Sequence, residues 1–324
     1  MIVIDYEREP GRALVVTGAP LPFTLRQLQY AVAVADALSF RAAAQLCRVA
    51  QPSLSAQIAQ LEDALGVRLF ERDRRRVLVT PAGGELLTRA RALLAASDDL
   101  AVLARQAGDP LAATLRLGVI PTVSPYLLPP LSTRLRRRHP RLKALWVEDK
   151  TDVLVSLLQA GKLDAALLAL EADVGELDHE VIARDPFVLA MPSGHALARR
   201  SAPVKATQLR DADVLLLDEG HCFRTQALAF CARARAHELE FRATSLGTLA
   251  QMVAGGAGVT LLPMLAVATE RRRAALEIRS FEAPGPKRTL ALVWRPRSPL
   301  AAALRTLAET MRDAYPAEGR APTA

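Results

Sequence analysis

The chain has 324 residues, of which 51% are hydrophobic and 23% are charged, and its formal net charge is +8. This length allows two or three domains with their own cores, and the composition is ordinary for a soluble globular protein. No apolar run reaches the roughly 18 residues of a membrane span, and the first 22 residues lack the pattern of a secretory signal. Three scattered cysteines are not a secreted disulfide framework, so we expect a reducing cytoplasm and no membrane partner.

The N-terminal segment, residues 1–22, contains five Gly and Pro residues without a sustained period, which predicts a flexible extension. Periodicity begins at Phe23, and Thr24 is predicted to cap a first helix. Ser39 is predicted to cap a short second helix from Phe40 to Cys47 whose small alanine face can pack closely against a neighbour.

A third helix is predicted to begin at Pro52 and to end before Gly66, which suits the residue after a helix. Its apolar side chains recur at the spacing of one buried stripe: Leu54, Ile58, Leu61 and Leu65. Two helices joined by a tight turn form a helix-turn-helix pattern. Our candidates for contact with DNA bases and phosphates lie at the start and on the polar face of this helix: Gln51, Pro52, Ser53, Ser55, Gln57 and Gln60.

An arginine-rich segment follows directly and leads into the strand-like residues 77–79. A charge run alone usually marks a solvated loop, and lysine supplies only five of the 42 basic residues, so net charge is weak evidence. Because the run directly follows the helix-turn-helix, we interpret it as a hairpin wing that reaches the DNA backbone. The wing candidates are Arg72, Arg74, Arg75 and Arg76.

A long helix is predicted from Gly83 to Gln106. Small and apolar residues recur along it in alternating steps of four and three: Leu86, Ala90, Leu93, Ser97, Leu100 and Ala104. This is the spacing of a coiled-coil seam, so we expect the helix to make a dimer. Gly108 to Pro110 marks its end.

Short apolar strands alternate with helices from Leu115 onward, which predicts an α/β region with a largely parallel sheet. We predict strands at 115–120, 142–147, 165–170, 214–217, 259–262 and 289–294, and helices at 123–138, 151–160, 246–254 and 300–315. Crossings near Asp185 and near residues 283–286 indicate two lobes with a cleft. Ligands in such sheets bind beyond the carboxyl ends of strands, where Thr122 and Thr151 lie.

Two of the three cysteines, Cys222 and Cys231, are nine residues apart in a segment of strong helix formers. His221 and Arg224 flank the first cysteine, and a nearby positive charge favours the reactive thiolate. In an intact helix the cysteines are about 13 Å apart along the axis, whereas a disulfide requires Cα atoms within about 7 Å. The pair can join only if the helix unwinds, as in a redox switch; the alternative is two inert core side chains.

Over residues 23 to about 315 the chain resembles the LysR-type transcriptional regulators. In the head the resemblance is carried by Ser39-Phe40-Arg41-Ala42-Ala43-Ala44, Gln51-Pro52-Ser53-Leu54-Ser55 and Leu69-Phe70-Glu71-Arg72. The regulatory region resembles the members of that family that sense hydrogen peroxide. The matching segments include Ile120-Pro121-Thr122-Val123, Gly161-Lys162-Leu163-Asp164, Gly220-His221-Cys222, Phe230-Cys231 and Gly258-Val259-Thr260-Leu261-Leu262-Pro263.

This resemblance implies that hydrogen peroxide oxidises Cys222 and that Cys231 resolves the product as a reversible disulfide. It further implies that four residues hold the peroxide: Thr122, Thr151, His221 and Arg224. Peroxide-sensing members commonly carry an acidic residue where this chain has Thr225. The absence of a carboxylate at this position is expected to alter the local network of proton donors and acceptors. Cys47 is expected to be a core residue of the head.

The resemblance also implies an N-terminal winged helix-turn-helix with a long linker helix, followed by a two-lobed α/β effector domain of periplasmic-binding-protein type. We predict an extension (1–22), a DNA-binding domain (23–81), a linker helix (82–110), a regulatory domain (111–315) and a tail (316–324). Lobe I is assigned to 111–185 and 287–315, and lobe II to 186–286.

The expected partners are double-stranded promoter DNA, hydrogen peroxide, RNA polymerase and further copies of the chain, as a homodimer or homotetramer. No cofactor is expected, and the five histidines show no spacing of metal ligands. One alternative is a dedicated thiol peroxidase, for which a helix-turn-helix has no purpose. Another is a regulator whose cleft binds a small organic effector while its cysteines are inert.

Overall fold

The computed structural model describes residues 21–72, 77–105, 110–112, 114–199, 202–218 and 222–316. The predicted extension falls almost entirely outside these ranges. Each helix within them is too short or too polar to cross a lipid bilayer. The chain divides into two compact units, one ending at Leu94 and the other beginning at Ala95.

The first unit is a helical head with a small hairpin. Its elements are α1 (Leu25–Ala37), α2 (Phe40–Leu46), α3 (Gln51–Leu65), β1 (Phe70–Arg72), β2 (Val77–Val79) and the first part of α4 (Pro81–Arg105). Both predicted caps are confirmed, because the Thr24 hydroxyl accepts from the backbone N–H of Gln27 at 3.2 Å and the Ser39 hydroxyl from that of Ala42 at 3.3 Å. These bonds satisfy N–H groups that have no partner inside the helix.

The helix-turn-helix pattern is confirmed by α2 and α3. Helix α3 begins at Gln51, one residue before the predicted start, and ends at Leu65, followed by Gly66, whose φ of 66° is left-handed. Its apolar stripe is buried, with Leu54, Ile58 and Leu61 fully inaccessible. Strands β1 and β2 then pair antiparallel, as a wing does.

Helix α4 begins at Pro81, two residues earlier than predicted, and extends to Arg105. Two of its side chains, Leu87 and Ala90, are buried in the core of the head. Two residues of the predicted seam, Leu93 and Leu100, are 50% and 68% exposed. An apolar side chain so exposed on a long helix is available to a partner.

The second unit contains the remaining strands: β3 (Thr114–Val119), β4 (Lys143–Glu148), β5 (Ala165–Ala169), β6 (Asp178–Pro192), β7 (Asp213–Leu217), β8 (His237–Ala243), β9 (Thr260–Pro263), β10 (Leu276–Ser280) and β11 (Lys287–Trp294). Its helices are α5 (Ser124–Arg138), α6 (Thr151–Gln159), α7 (Cys222–Ala234), α8 (Leu246–Ala254), α9 (Met264–Arg273) and α10 (Ala301–Ala314).

A seven-stranded sheet has the order β10-β6-β11-β5-β3-β4, with β9 also paired to β6. Strand β3 is parallel to β4 and β5, but β11 is antiparallel to β5 and β6. The prediction of a largely parallel sheet is therefore wrong. The physical reason is that β6 crosses from one lobe to the other and β11 returns beside it in the opposite direction.

Two hydrophobic cores lie on either side of this crossing. One packs β3, β5 and β11 with α5, α6 and α10, and β5 is buried along its whole length. The other packs the end of β6 with β7, β9, α7 and α8. The carboxyl ends of β3 and β4, where two candidate site residues were predicted, lie at the edge of the first core.

Candidate functional site

Thr122 and Thr151 follow neighbouring parallel strands. Val119 at the end of β3 pairs with Glu148 at the end of β4, and each threonine comes three residues later. Both side chains are buried, at 3% and 6% exposure. The sheet thus brings the two predicted peroxide-binding hydroxyls to the same edge.

The two hydroxyls differ in their hydrogen bonds. Thr122 Oγ1 accepts from Arg288 Nη1 at 2.7 Å, and the Thr122 carbonyl accepts from Nη2 at 3.2 Å. Because a guanidinium only donates, the hydroxyl hydrogen of Thr122 remains available for another acceptor. Thr151 Oγ1 has no hydrogen-bond partner among the described residues. A buried hydroxyl without a partner indicates a position for water or a small polar ligand.

Arg288 was not singled out in the sequence analysis, and its partner Asp185 was named there only as the marker of a crossing between the lobes. Arg288 Nε and Nη2 lie 3.0 and 2.9 Å from Asp185 Oδ2, and both side chains are fully inaccessible. Asp185 Oδ1 also accepts from the backbone N–H of Leu265 at 3.1 Å. The pair sits across β6 and β11, directly opposite in register. The pair thus fixes the Thr122 hydroxyl with a buried guanidinium whose charge is balanced by Asp185.

The only local signal for this pair was an acidic residue between apolar segments, just before Pro186. Its partner lies 103 residues away in the chain, so no spacing rule could connect them.

Helix α7 begins at Cys222 and includes Cys231. His221 lies outside the described residues, and the side chains of Cys222 and Thr225 are likewise not described. The nine-residue separation within one continuous helix corresponds to about 13 Å of rise. No disulfide can join the two cysteines while α7 is intact.

Cys231 faces the core of its lobe. It is 4% exposed and shares a buried face with Ala227 and Ala234. Burial, and after it the negative charge of Glu238, raise the pKa of the Cys231 thiol to about 11. In the same helix, Phe230 is buried against Phe281 with ring centroids 4.8 Å apart, whereas Leu228 is 37% exposed.

Arg224 makes contacts that the sequence did not predict. Its Nη1 donates to the carbonyl oxygen of Leu217 at 3.1 Å, and its Nη2 lies 2.6 Å from Glu238 Oε1. The guanidinium therefore connects the first turn of α7 to strands β7 and β8. One turn after Cys222, the carboxamide of Gln226 has both polar atoms buried without a described partner. Gln226 is a further candidate that the sequence analysis missed.

The candidate DNA-binding face is exposed on α3. Gln51, Pro52, Ser53 and Gln60 are exposed, and Ser55 and Gln57 are half-buried. Behind this face the buried carboxylate of Glu62 accepts from the backbone N–H of Leu69 at 2.8 Å, which anchors the start of the wing. Arg74, Arg75 and Arg76 lie outside the described residues, as does the side chain of Arg72.

Cys47 closes α2 and is partly buried against the core of the head. Burial raises its pKa. Cys47 therefore lies half-buried at the edge of the head core, and is not the fully buried core residue expected from the sequence.

Comparison with known families assigns both parts of the chain. Residues 25–84 match the family described as bacterial regulatory helix-turn-helix protein, lysR family. Residues 108–316 match the family described as LysR substrate binding domain.

The chain is 44% identical over 290 residues to a "Hydrogen peroxide-inducible genes activator" of Pectobacterium carotovorum, covering 89% of this chain and 96% of that protein. It is 43% identical over 289 residues to the "DNA-binding transcriptional dual regulator OxyR" of Escherichia coli K12, covering 89% and 94%. Among solved structures, a full-length OxyR variant from Pseudomonas aeruginosa matches with a TM-score of 0.76 and 35% identity, over 93% of this chain and 99% of that one. A Corynebacterium glutamicum OxyR mutant with hydrogen peroxide bound matches with a TM-score of 0.61 and 35% identity, over 90% and 94%.

Proposed function

The chain belongs to the LysR family of bacterial transcriptional regulators, and we propose that it senses hydrogen peroxide through Cys222 and Cys231. The observation that carries this proposal is helix α7, which begins at Cys222 and keeps Cys231 buried nine residues further along. The relative from Pectobacterium carotovorum, named as a hydrogen peroxide-inducible genes activator, supports it, because the similarity extends over 89% of this chain. The site works in the cytoplasm, where a disulfide is a signal and not a permanent link.

In the first step the Cys222 thiolate attacks one peroxide oxygen. The O–O bond breaks, hydroxide leaves and is protonated to water, and the sulfur is oxidised to a sulfenic acid. Thr122, whose hydroxyl hydrogen is not used by Arg288, donates to the peroxide, and the unpartnered Thr151 hydroxyl supplies a second contact. His221 completes the site that the resemblance implies, whereas Arg224 is assigned no contact with the peroxide, because its guanidinium binds the Leu217 carbonyl and Glu238. The buried carboxamide of Gln226, four residues after Cys222 in the same helix, is a further candidate for contact with the peroxide.

In the second step Cys231 attacks the sulfenic sulfur, the S–S bond forms, and the oxygen leaves as water. This step requires unwinding of α7, since the helix separates the two sulfurs. Cys231 is protonated at neutral pH while buried, because its pKa is near 11. Opening of the helix therefore both brings the thiol within reach and returns it to water, where its thiolate forms more easily.

Unwinding moves Phe230 and Cys231 out of the core that they share with Phe281. A segment with two packed arrangements can change how the subunits are arranged. Oxidation of one sulfur thereby alters the positions of the DNA-binding heads. The regulator acts as a homodimer or homotetramer on double-stranded promoter DNA, with RNA polymerase as the downstream partner.

The test is thiol counting on the wild-type protein together with DNA footprinting. One equivalent of hydrogen peroxide is expected to remove two of the three thiols and to change the footprint, and a dithiol reductant should reverse both changes. If all three thiols remain and a small organic molecule alters the footprint instead, the cleft binds an organic effector and the cysteines are inert.

DNA contact is expected to divide between two surfaces. Gln57→Ala, on the polar face of α3, should change the preferred base sequence, since base edges carry specificity. The double change of Arg74→Ala and Arg75→Ala should weaken binding to every sequence, because each lost phosphate contact lowers the slope of log K against log salt by about 0.9. Binding curves measured across a salt titration distinguish these effects. Unchanged curves in both variants would place the DNA-binding surface elsewhere.

The dimer is expected to depend on Leu93 and Leu100, the exposed part of the predicted seam of α4, since Ala90 of that seam is buried in the core of the head. Changing Leu93 and Leu100 to Glu places like charges where two helices meet, so sedimentation should show monomers with weak operator binding. Thr88→Glu, at an exposed position of the same helix outside the seam, is the matched control and should remain dimeric. An intact dimer in the double variant would contradict this assignment.

A further inference from the structure

The guanidinium of Arg224 joins three elements at the start of the sensing helix. Arg224 belongs to the first turn of α7, its Nη1 donates to the Leu217 carbonyl at the end of β7, and its Nη2 binds Glu238 on β8 at 2.6 Å. The Arg224 side chain is 14% exposed and that of Glu238 is 36% exposed. Strands β7 and β8 are adjacent and parallel, so both anchors belong to one rigid platform.

This contact lies where the helix must open. Arg224 is two residues after Cys222, inside the segment that has to unwind before Cys231 can reach the oxidised sulfur. The first turn of a helix has N–H groups without intrahelical partners and opens readily. A charge-assisted bond from that turn to a neighbouring strand opposes the opening, and partial burial makes it stronger than a surface pair.

The same carboxylate acts on the second cysteine. After burial, the negative charge of Glu238 is the next cause that raises the pKa of Cys231. Since only a thiolate attacks a sulfenic acid, Glu238 also helps to keep Cys231 unreactive for as long as α7 is closed.

We propose that Glu238 is a positioning residue that controls the rate of disulfide formation by holding Arg224 and thereby keeping the first turn of α7 closed. This inference rests on the proposed peroxide-sensing function and concerns its second step. The ion pair leaves the oxidation of Cys222 unchanged and delays the attack of Cys231. The sulfenic acid persists until thermal opening of α7 breaks the Arg224–Glu238 contact.

The test compares Glu238→Gln with the matched control Glu240→Gln. Glu240 is exposed two residues further along β8, so its replacement removes the same charge from the same strand and leaves the Arg224–Glu238 pair intact. After rapid mixing with hydrogen peroxide, a dimedone trap measures the sulfenic acid and the loss of a second thiol measures the disulfide.

Glu238→Gln is expected to speed conversion of sulfenic acid to disulfide by about three- to ten-fold, the range for a partly buried ion pair. Formation of the sulfenic acid should change by less than about two-fold, because the pair does not take part in it. Glu238→Asp, with the same charge and a shorter reach, should give an intermediate rate. Hydrogen exchange in the reduced Glu238→Gln protein should increase in residues 224–230 and not across α5 or β5, which excludes general unfolding.

Equal disulfide rates in Glu238→Gln and Glu240→Gln, with wild type forming the disulfide normally, would overturn the role of Glu238 alone. Absence of any disulfide in the wild-type protein would instead overturn the proposed sensing function, and this inference with it.

Discussion

Replacing Cys222 with Ser is expected to abolish both the sulfenic acid and the disulfide after treatment with hydrogen peroxide. Cys231→Ser should still form the sulfenic acid at Cys222 but should form no disulfide. The asymmetry follows from the structure, because Cys231 is 4% exposed with a pKa near 11, so it cannot act first. Mass spectrometry of dimedone-trapped and alkylated peptides measures both products.

Cys47→Ser is the control. Because Cys47 lies in the head, this substitution is expected to leave both products unchanged. Two outcomes would contradict the mechanism. One is oxidation of Cys231 before Cys222. The other is a Cys222–Cys231 disulfide that forms without faster hydrogen exchange in residues 223–230, because a disulfide across an intact helix is geometrically impossible.

The second large effect concerns the buried pair beneath the site. Asp185→Ala is expected to destabilise the regulatory region by about 3 to 5 kcal/mol, because it leaves Arg288 charged and buried without its partner. The Asp185 carboxylate also accepts from the Leu265 backbone and from Tyr315, whose pKa is raised chiefly by burial and then by this charge. Chemical denaturation measures the loss in the free energy of unfolding, and hydrogen exchange in β6 and β11 shows where the structure is weakened.

The matched control is Arg138→Ala, which removes an ion pair of the same chemistry in the same region. Arg138 Nη1 lies 2.7 Å from Asp313 Oδ2, but both side chains are about half exposed. An exposed pair contributes only about 0 to 1 kcal/mol, so this variant should unfold nearly as wild type does. Similar losses in the two variants would mean that the free energy of unfolding does not depend on the burial of Asp185.

The Asp185 variant should also affect sensing. Without its partner, Arg288 is no longer held against Thr122, so the hydroxyl loses its 2.7 Å contact and its orientation. Oxidation of Cys222 should therefore slow even in molecules that remain folded. A variant that is destabilised but oxidised at the wild-type rate would show that Arg288 is structural only.

The sequence by itself determined the helices of the head and the distance between the two cysteines of the proposed switch. Thr24 and Ser39 cap their helices, Gly66 ends α3, and the stripe through Leu54 is buried, because these features depend on residues three or four positions apart. The nine-residue spacing of Cys222 and Cys231 likewise set their separation once the segment is helical. Local hydrogen bonding and helical periodicity contain all the information that these predictions need.

Only the tertiary structure decided which distant residues of the regulatory region pair with one another. The strand β6 was not predicted, since its polar and apolar residues follow no single period as it passes from one lobe to the other. Asp185 meets Arg288 and Arg224 meets Glu238 because particular strands and helices become neighbours. Such pairing depends on the order of strands in the sheet, which is set by the burial of whole faces and not by the spacing of residues within one segment.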